Sequence, residues 1–184
     1  MINLEPEVID QAQKGDAGAF TQVVEAYQRP VFNLCYRMLG NPEDAEDAAQ
    51  ETFLRAYDHL KRYDRQRSFS TWLLSIAAHY CIDQLRKHRM TFLSMDTFPE
   101  LDIPDANPGP EVAFHRHEDQ QRVQDLLTSL SPQDRAAVAM YYWYDFSYEE
   151  IAESLKLTVS AVKSRLHRAR LSLAQAWTEQ EAKK

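Results

Sequence analysis

The sequence predicts an all-α chain of two small helical domains joined by a Pro-rich acidic linker. Glycine is rare, with four in 184 residues. Apolar residues recur at spacings of three and four, and no alternating strand pattern persists. Half of the eight prolines fall in one short stretch, at Pro99, Pro104, Pro108 and Pro110, beside Asp96, Glu100, Asp102 and Asp105. Prolines and like charges in that density break helical periodicity and mark a linker. The expected division is a first domain over 1–91, a linker over 92–110 and a second domain over 111–184.

Each element has its own start and stop signals. Residues 5–13 read as a short helix ended by Gly15. Asp16 is placed to cap a second helix, with Phe20, Val23, Val24 and Tyr27 on its apolar stripe. Pro30 is expected to begin or kink the stretch that follows, and Gly40 ends it. Asn41-Pro42 is a cap followed by a first-turn proline, opening a helix to about Leu60. Ala45, Ala48, Ala49, Thr52 and either Phe53 or Leu54 face inward there. Tyr63 to Arg67 reads as a loop, and a helix follows from about Phe69 to Arg89. In the second domain a helix carries Val123, Leu126, Leu127 and Leu130, and Ser131-Pro132 opens the next. Ser147 with Glu150 forms a capping box for a short helix. A tight break at Lys156-Leu157 and a cap at Thr158 introduce a last long helix.

Composition narrows the function. The chain carries a net charge of −7 and is 44% hydrophobic, with a mean hydropathy of −0.56. It has no apolar run long enough to span a membrane. No basic start and apolar core of a signal peptide is visible, so a cytoplasmic protein without membrane insertion is expected. Cys35 and Cys81 are too few for a disulfide framework or a cysteine zinc site, and both read as core thiols. The net acidity hides local order. Residues 156–170 carry five basic residues and no acid, whereas residues 1–60 carry eleven acids against four bases. Distant charges are screened beyond about 8–10 Å at physiological salt, so a local basic patch can still bind nucleic acid.

The stretch from Asn41 to Met90 concentrates two chemistries. Its start is acidic, with Asp44, Glu46, Asp47 and Glu51 opposed only by Arg55. Asp47, Gln50 and Glu51 share a helix face at spacings of three and four. From Lys61 to Arg89 seven basic residues stand against Asp64 and Asp83, with Phe69-Ser70-Thr71-Trp72 between. An acidic face suits a basic protein partner, and a basic aromatic segment suits unpaired bases and phosphates. Near the other end, two helices joined by a tight turn read as a helix-turn-helix. The second is aliphatic inside (Val159, Val162, Leu166, Ala169) and polar or basic outside (Ser160, Lys163, Ser164, His167, Arg168).

These motifs, in this order, resemble those of the bacterial RNA polymerase sigma factors of the extracytoplasmic-function (ECF, group 4) subfamily of the sigma-70 family. The resemblance rests on Asp44-Ala45-Glu46-Asp47-Ala48-Ala49-Gln50-Glu51-Thr52-Phe53, on Phe69-Ser70-Thr71-Trp72-Leu73 and on Ile82-Asp83-Gln84-Leu85-Arg86. It continues in Tyr148-Glu149-Glu150-Ile151-Ala152, Val162-Lys163-Ser164-Arg165-Leu166 and Arg168-Ala169-Arg170. It implies a sigma factor that binds core RNA polymerase through the largest-subunit coiled coil and the flap. Asp47, Gln50 and Glu51 match the docking positions. Phe69, Thr71, Trp72, His79, Arg86, Lys87 and Arg89 would serve the −10 element of promoter DNA and its melted strand. Thr158, Ser160, Lys163, Ser164, Arg165, His167 and Arg168 would serve the −35 element, with Arg165 and Arg170 leaning to phosphates or packing. An anti-sigma factor is implied as a further partner; no cofactor, metal or catalytic residue is. His79 stands where asparagine is common, so the −10 base preference does not carry over. Lys156 replaces the usual turn glycine, which calls for a different turn or a strained φ.

Two rivals are weaker. A free-standing helix-turn-helix regulator would account for the second domain but not for the acidic face or the basic aromatic segment. An enzyme would have to use His115-Arg116-His117-Glu118-Asp119, whose one- and two-residue spacings point to different sides of a helix.

Overall fold

A computed structural model describes residues 4–94 and 121–181, and those residues are helical throughout apart from short turns. In order they form α1 (Pro6–Gln13), α2 (Ala17–Leu39), α3 (Pro42–His59) and, after a 3-10 turn at Leu60–Arg62, α4 (Phe69–Ser94). Residues 121–128 form α5. Then come α6 (Pro132–Tyr144), α7 (Tyr148–Leu155) and α8 (Val159–Glu181). α4 runs to Ser94, past the expected first-domain boundary; residues 95–110 of the linker and the 115–119 cluster lie outside the described residues.

The caps are those the residue types call for. Asp16 accepts from the Ala19 amide at 2.9 Å. Asn41 accepts from the Glu43 and Asp44 amides at 2.7 and 3.3 Å. Gly40 closes α2 with φ 83°, where glycine has no Cβ to strain. Pro30 neither starts nor ends a helix: α2 is continuous through it.

α2, α3 and α4 pack around Val23, Val31, Leu34, Met38, Leu73 and Leu74, all at most 2% exposed. α3 contributes a small-residue face, Ala45, Ala48, Ala49, Thr52 and Ala56. Small side chains let helices approach closely, and Thr52 returns its hydroxyl proton to the Ala48 carbonyl at 2.7 Å. Cys35 and Cys81 are buried in this core. A hydrogen bond to Cys35, with burial, pushes the Cys81 thiol pKa up, so it stays protonated. α6, α7 and α8 pack around Met140, Ile151, Val162 and Leu166, and the same apolar cluster runs on into the first half through α2 and α4.

The seam between the two halves is polar and specific. Gln124 of α5 donates to the Tyr36 and Arg37 carbonyls at 3.1 and 3.2 Å. Arg135 of α6, 5% exposed, donates to the Met38, Thr128 and Leu130 carbonyls. The last carbonyls of a helix have no partner within it; here the second half supplies the donors for α2. Tyr144 donates to the Pro30 carbonyl at 2.7 Å, and Arg37 lies 4.8 Å from the Trp143 ring centre. None of the described helices is long and apolar enough to cross a membrane.

Candidate docking and nucleic-acid surfaces

The first surface is one face of α3. Asp47 and Gln50 are exposed and Glu51 is half-exposed. Glu51 pairs with Arg55 at 2.7 Å, one helical turn on, and Arg55 lies over the Tyr80 ring of α4 at 4.8 Å. The sequence left open which of Phe53 and Leu54 points inward. Phe53 packs against the core, while Leu54 is 64% exposed. At positions 47, 50, 51 and 54 the stripe is therefore acidic, polar and then apolar. A groove of about 520 Å³ lies beside it between α2 and α3, lined by Val24, Phe32, Glu46, Gln50 and Phe53 among others. Leu54 and this groove escaped the sequence reading, because periodicity alone does not tell an inward leucine from an outward one at the edge of the apolar arc.

The second surface is the 63–68 loop with α4. Its expected residues divide. Phe69 is 6% exposed, with its ring edge-on to Tyr27 at 5.4 Å and to Tyr63 at 5.2 Å and tilted against Trp72 at 5.4 Å. It is committed to an aromatic core that fixes the loop and offers no face to a base here. Burial raises the phenol pKa of Tyr27 and Tyr63, which stay neutral. Thr71 is also 6% exposed and donates to Glu150 Oε1 of α7 at 3.0 Å. Trp72 and His79 are half-buried and Arg86 is exposed. Their spacing of seven puts all three on one face of α4. His79 Nδ1 is 2.8 Å from the Ser75 carbonyl oxygen, which orients its ring. Lys87 and Arg89 extend the exposed basic end. A pocket of about 270 Å³ opens between the loop, α4 and α7, with Gln66, Ser68, Thr71 and Trp72 on one side and Glu150 and Glu153 on the other.

The third surface is α8 on its helix-turn-helix. Ser147 caps α7 in a full capping box with Glu150. The turn is a Schellman arrangement: Leu157 N–H reaches the Ala152 carbonyl at 2.8 Å and Lys156 N–H reaches that of Glu153 at 3.3 Å. Lys156 adopts φ 55°, ψ 47°, the left-handed conformation glycine would take without strain. Ser160, Lys163, Ser164, His167 and Arg168 are exposed along α8. Thr158 is exposed at the start of α8, whereas Arg165 is not part of that open face. Thr158 accepts from the Ala161 amide at 3.1 Å as a cap. Arg165 turns inward, pairing with Asp134 and donating to Gln133, both at 2.8 Å. An aromatic shelf unforeseen in the sequence borders the face. Tyr141 and Tyr148 stack at 5.5 Å, Lys163 lies over Tyr148, and Arg170 donates to the Tyr142 hydroxyl at 2.9 Å. The tyrosine-rich run from Tyr141 to Tyr148 was its signal.

Comparison with known proteins joins these surfaces. The sigma-70 region 2 family model matches residues 23–91, and the sigma-70 region 4 model matches residues 120–173. The ECF RNA polymerase sigma factor SigW of Bacillus subtilis is 36% identical over 174 residues, covering 90% of this chain and 92% of SigW. CnrH, solved with the cytosolic domain of CnrY, shares the fold with a TM-score of 0.70 at 24% identity, over 94% of this chain and 96% of that one. The sigma factor RpoE of Bartonella quintana, solved with the anti-sigma factor NepR, aligns with a TM-score of 0.67 at 23% identity, over 86% and 96% of the two chains. With both family regions in order and a full-length relative at that identity, the chain belongs to the ECF RNA polymerase sigma factors of the sigma-70 family, which direct transcription initiation.

Proposed function

We propose that this sigma factor docks on core RNA polymerase through α3 and reads a two-part promoter with its two halves. Residues 1–91 and 111–184 are the two working domains in this reading, with 92–110 as the tether. Asp47, Gln50 and Glu51, with Leu54 beside them, meet the coiled coil of the largest subunit. Complementary charge speeds and orients encounter, and the apolar residue adds area that leaves water on contact. The second domain also meets the flap.

Region 4 places Ser160, Lys163, Ser164, His167 and Arg168 in the major groove of the −35 element. Thr158 and Arg165 hold the helix in position, and Arg170 on its tyrosine shelf serves the backbone. Region 2 takes the −10 element. Arg86, Lys87 and Arg89 hold phosphates, which fixes register without reading sequence. Trp72, Thr71 and His79 line the track of the melted strand, and Phe69 braces the loop from within. Unstacking a base costs a few kcal/mol, and stacking on an aromatic side chain returns about 1–3 kcal/mol per base, so the track can hold a strand open. The chain does no covalent chemistry, works in the cytoplasm, and is held in check by an anti-sigma factor, as RpoE is paired with NepR.

The observation that carries this reading is the coexistence of an exposed acidic–apolar stripe on α3 with a separate basic recognition face on α8. A repressor or activator acting alone has no use for the first. Transcription by core polymerase plus this protein on a fragmented genomic library tests it. Discrete transcripts sharing a pair of upstream elements are expected. Specific duplex binding without any binding to core would replace the reading with a free-standing regulator.

A further inference from the structure

We infer that α1 sets the direction of the 63–68 loop, and that Gln13 and Asp10 are positioning residues for reading the −10 strand. The inference rests on the −10 reading of that loop and α4 given above. α1 precedes residues 23–91, the part that the region 2 model matches, so the family match assigns it no role.

One side chain makes most of the bridge. Gln13 Nε2 donates to the Leu60 and Tyr63 carbonyls, both at 3.0 Å, across 47 and 50 residues of sequence. Its Oε1 accepts from Arg65 Nε at 3.0 Å. Both donors and one lone pair of that amide thus reach the loop or its entry. The far side of the Arg65 guanidinium, Nη2, pairs with Asp10. Asp10 and Gln13 stand three residues apart, on one face of α1. A helix of 8 residues does not hold alone. Ala12 is buried, Val8 and Ile9 pack against the core, and the last turn closes through Gly15 N–H to the Ala12 carbonyl and Asp16 N–H to that of Gln11, both at 3.0 Å. Gln13 sits on that fixed turn.

The loop needs such an outside reference. Within itself it is closed: Arg67 N–H reaches the Asp64 carbonyl at 3.1 Å, Gln66 N–H reaches Asp64 Oδ1 at 3.0 Å, and the Tyr63 hydroxyl donates to the Arg67 carbonyl. A turn bonded to itself can still swing about its two feet. Phe69 fixes the α4 foot among Tyr27, Tyr63 and Trp72. The other foot stands on buried Leu60, and Gln13 and Arg65 tie its outer side to α1. Between α1 and the loop lies an open pocket of about 320 Å³, lined by Leu4, Ile9, Tyr63, Arg65 and Ser68 among others. The two are therefore not pressed together there, and the polar bridges set their spacing. A loop ordered in advance binds a strand without losing affinity to its own ordering. Arg65 commits Nε and Nη2 to α1, which makes it a strut between helix and loop rather than a phosphate contact.

The test is transcription by core polymerase plus the full chain on a promoter pool. The pool is made from the strongest promoter of the genomic library, with its −10 positions randomised. Wild type should enrich particular bases among the transcripts. Gln13→Ala should flatten that enrichment by about threefold to tenfold, the scale of one or two lost hydrogen bonds. Asp10→Ala should flatten it less, and Asp10→Glu should restore it, because the longer carboxylate still reaches Arg65. Binding to core and to a −35 duplex should not change. Gln11→Ala is the control: its side chain is exposed on α1 and bonds to no described loop residue, so its profile should match wild type. An unchanged profile in Gln13→Ala overturns the inference. So does a uniform fall over every −10 sequence with the profile kept, which is what lost stability or a lost phosphate contact at Arg65 produces. If Gln13→Ala does not fold, Asp10→Ala decides alone, since a partly exposed ion pair is too weak to hold the fold. A wild-type chain that enriches no base at −10 removes the −10 reading and the inference with it.

Discussion

Lys156 shows how a single residue can carry strain that the fold still tolerates. Its left-handed conformation, φ 55°, places a Cβ against the chain at a cost of about 1–2 kcal/mol. The turn needs that conformation, because α7 and α8 must diverge within two residues. Lys156→Gly should therefore stabilise the chain by about 0.5–1 kcal/mol after the added freedom of the unfolded glycine is counted. Urea unfolding reads this directly, and a loss of stability would mean that the lysine side chain contributes more than its backbone costs. The sequence exposed this site because a lysine stood where a glycine was expected. The caps at Asp16, Asn41 and Ser147 were legible for the same kind of reason: short polar side chains satisfy orphan amides only a few residues away. Arg165 was not. Its place in a basic helix left it between phosphate contact and packing, and only the fold brings Asp134, 31 residues earlier, within 2.8 Å. Arg168 keeps the exposed position that Arg165 gives up. Arg168→Ala should cost about 1–3 kcal/mol of discrimination among −35 variants if it forks onto a base edge. Unchanged discrimination in a binding series over variant duplexes would confine Arg168 to the backbone.

At the scale of an element, α3 separates a packing face from an exposed one, the face proposed for docking. Its alanines and Thr52 build the close contact with α2 and α4, and Asp47, Gln50, Glu51 and Leu54 look outward. The acidic half of that face was legible from spacing. Leu54 was not, since an exposed leucine and a core leucine look alike in one sequence. Asp47→Lys with Glu51→Lys should weaken binding to core polymerase by at least tenfold, about 1.4 kcal/mol, while the fold survives. The only described ion pair it breaks is Glu51 with Arg55, a one-turn surface pair worth roughly 0.3–0.5 kcal/mol. Circular dichroism should be unchanged, and polymerase binding as tight as wild type would clear α3 of the docking role. α4 teaches the opposite lesson. Phe69 and Trp72 are neighbours in a motif that invites one shared role, yet Phe69 is buried among Tyr27, Tyr63 and Trp72. Two aromatics three residues apart on a buried edge can divide between core and surface, and one of the rings that decide it, Tyr27, lies 42 residues away in sequence.

The whole molecule is held by contacts that no local pattern could announce. Gln124 reaches carbonyls 88 and 87 residues earlier, and Arg135 reaches one 97 residues earlier. Both read as ordinary surface residues of amphipathic helices, yet they are 4% and 5% exposed. Burial lowers the Arg135 pKa, but guanidinium starts so high that it stays charged at neutral pH. Among the described residues it is a buried cation held by three backbone carbonyls and not by a carboxylate, with its Nε left without a hydrogen-bond partner. Because the apolar cluster runs across the seam and Gln124 and Arg135 bond across it, the two halves should unfold together in a single calorimetric transition. Gln124→Ala with Arg135→Met removes the donors and keeps the bulk of the arginine stem. The α2 carbonyls can turn to water, but the coupling across the seam is lost. The double variant should show two separate transitions, the second half melting first because fewer of its described apolar residues are buried. A wild-type chain that already melts in two steps would mean that the seam is too weak to couple the halves. A double variant that still melts in one would place the coupling in the apolar contacts and leave the polar donors a purely orienting part.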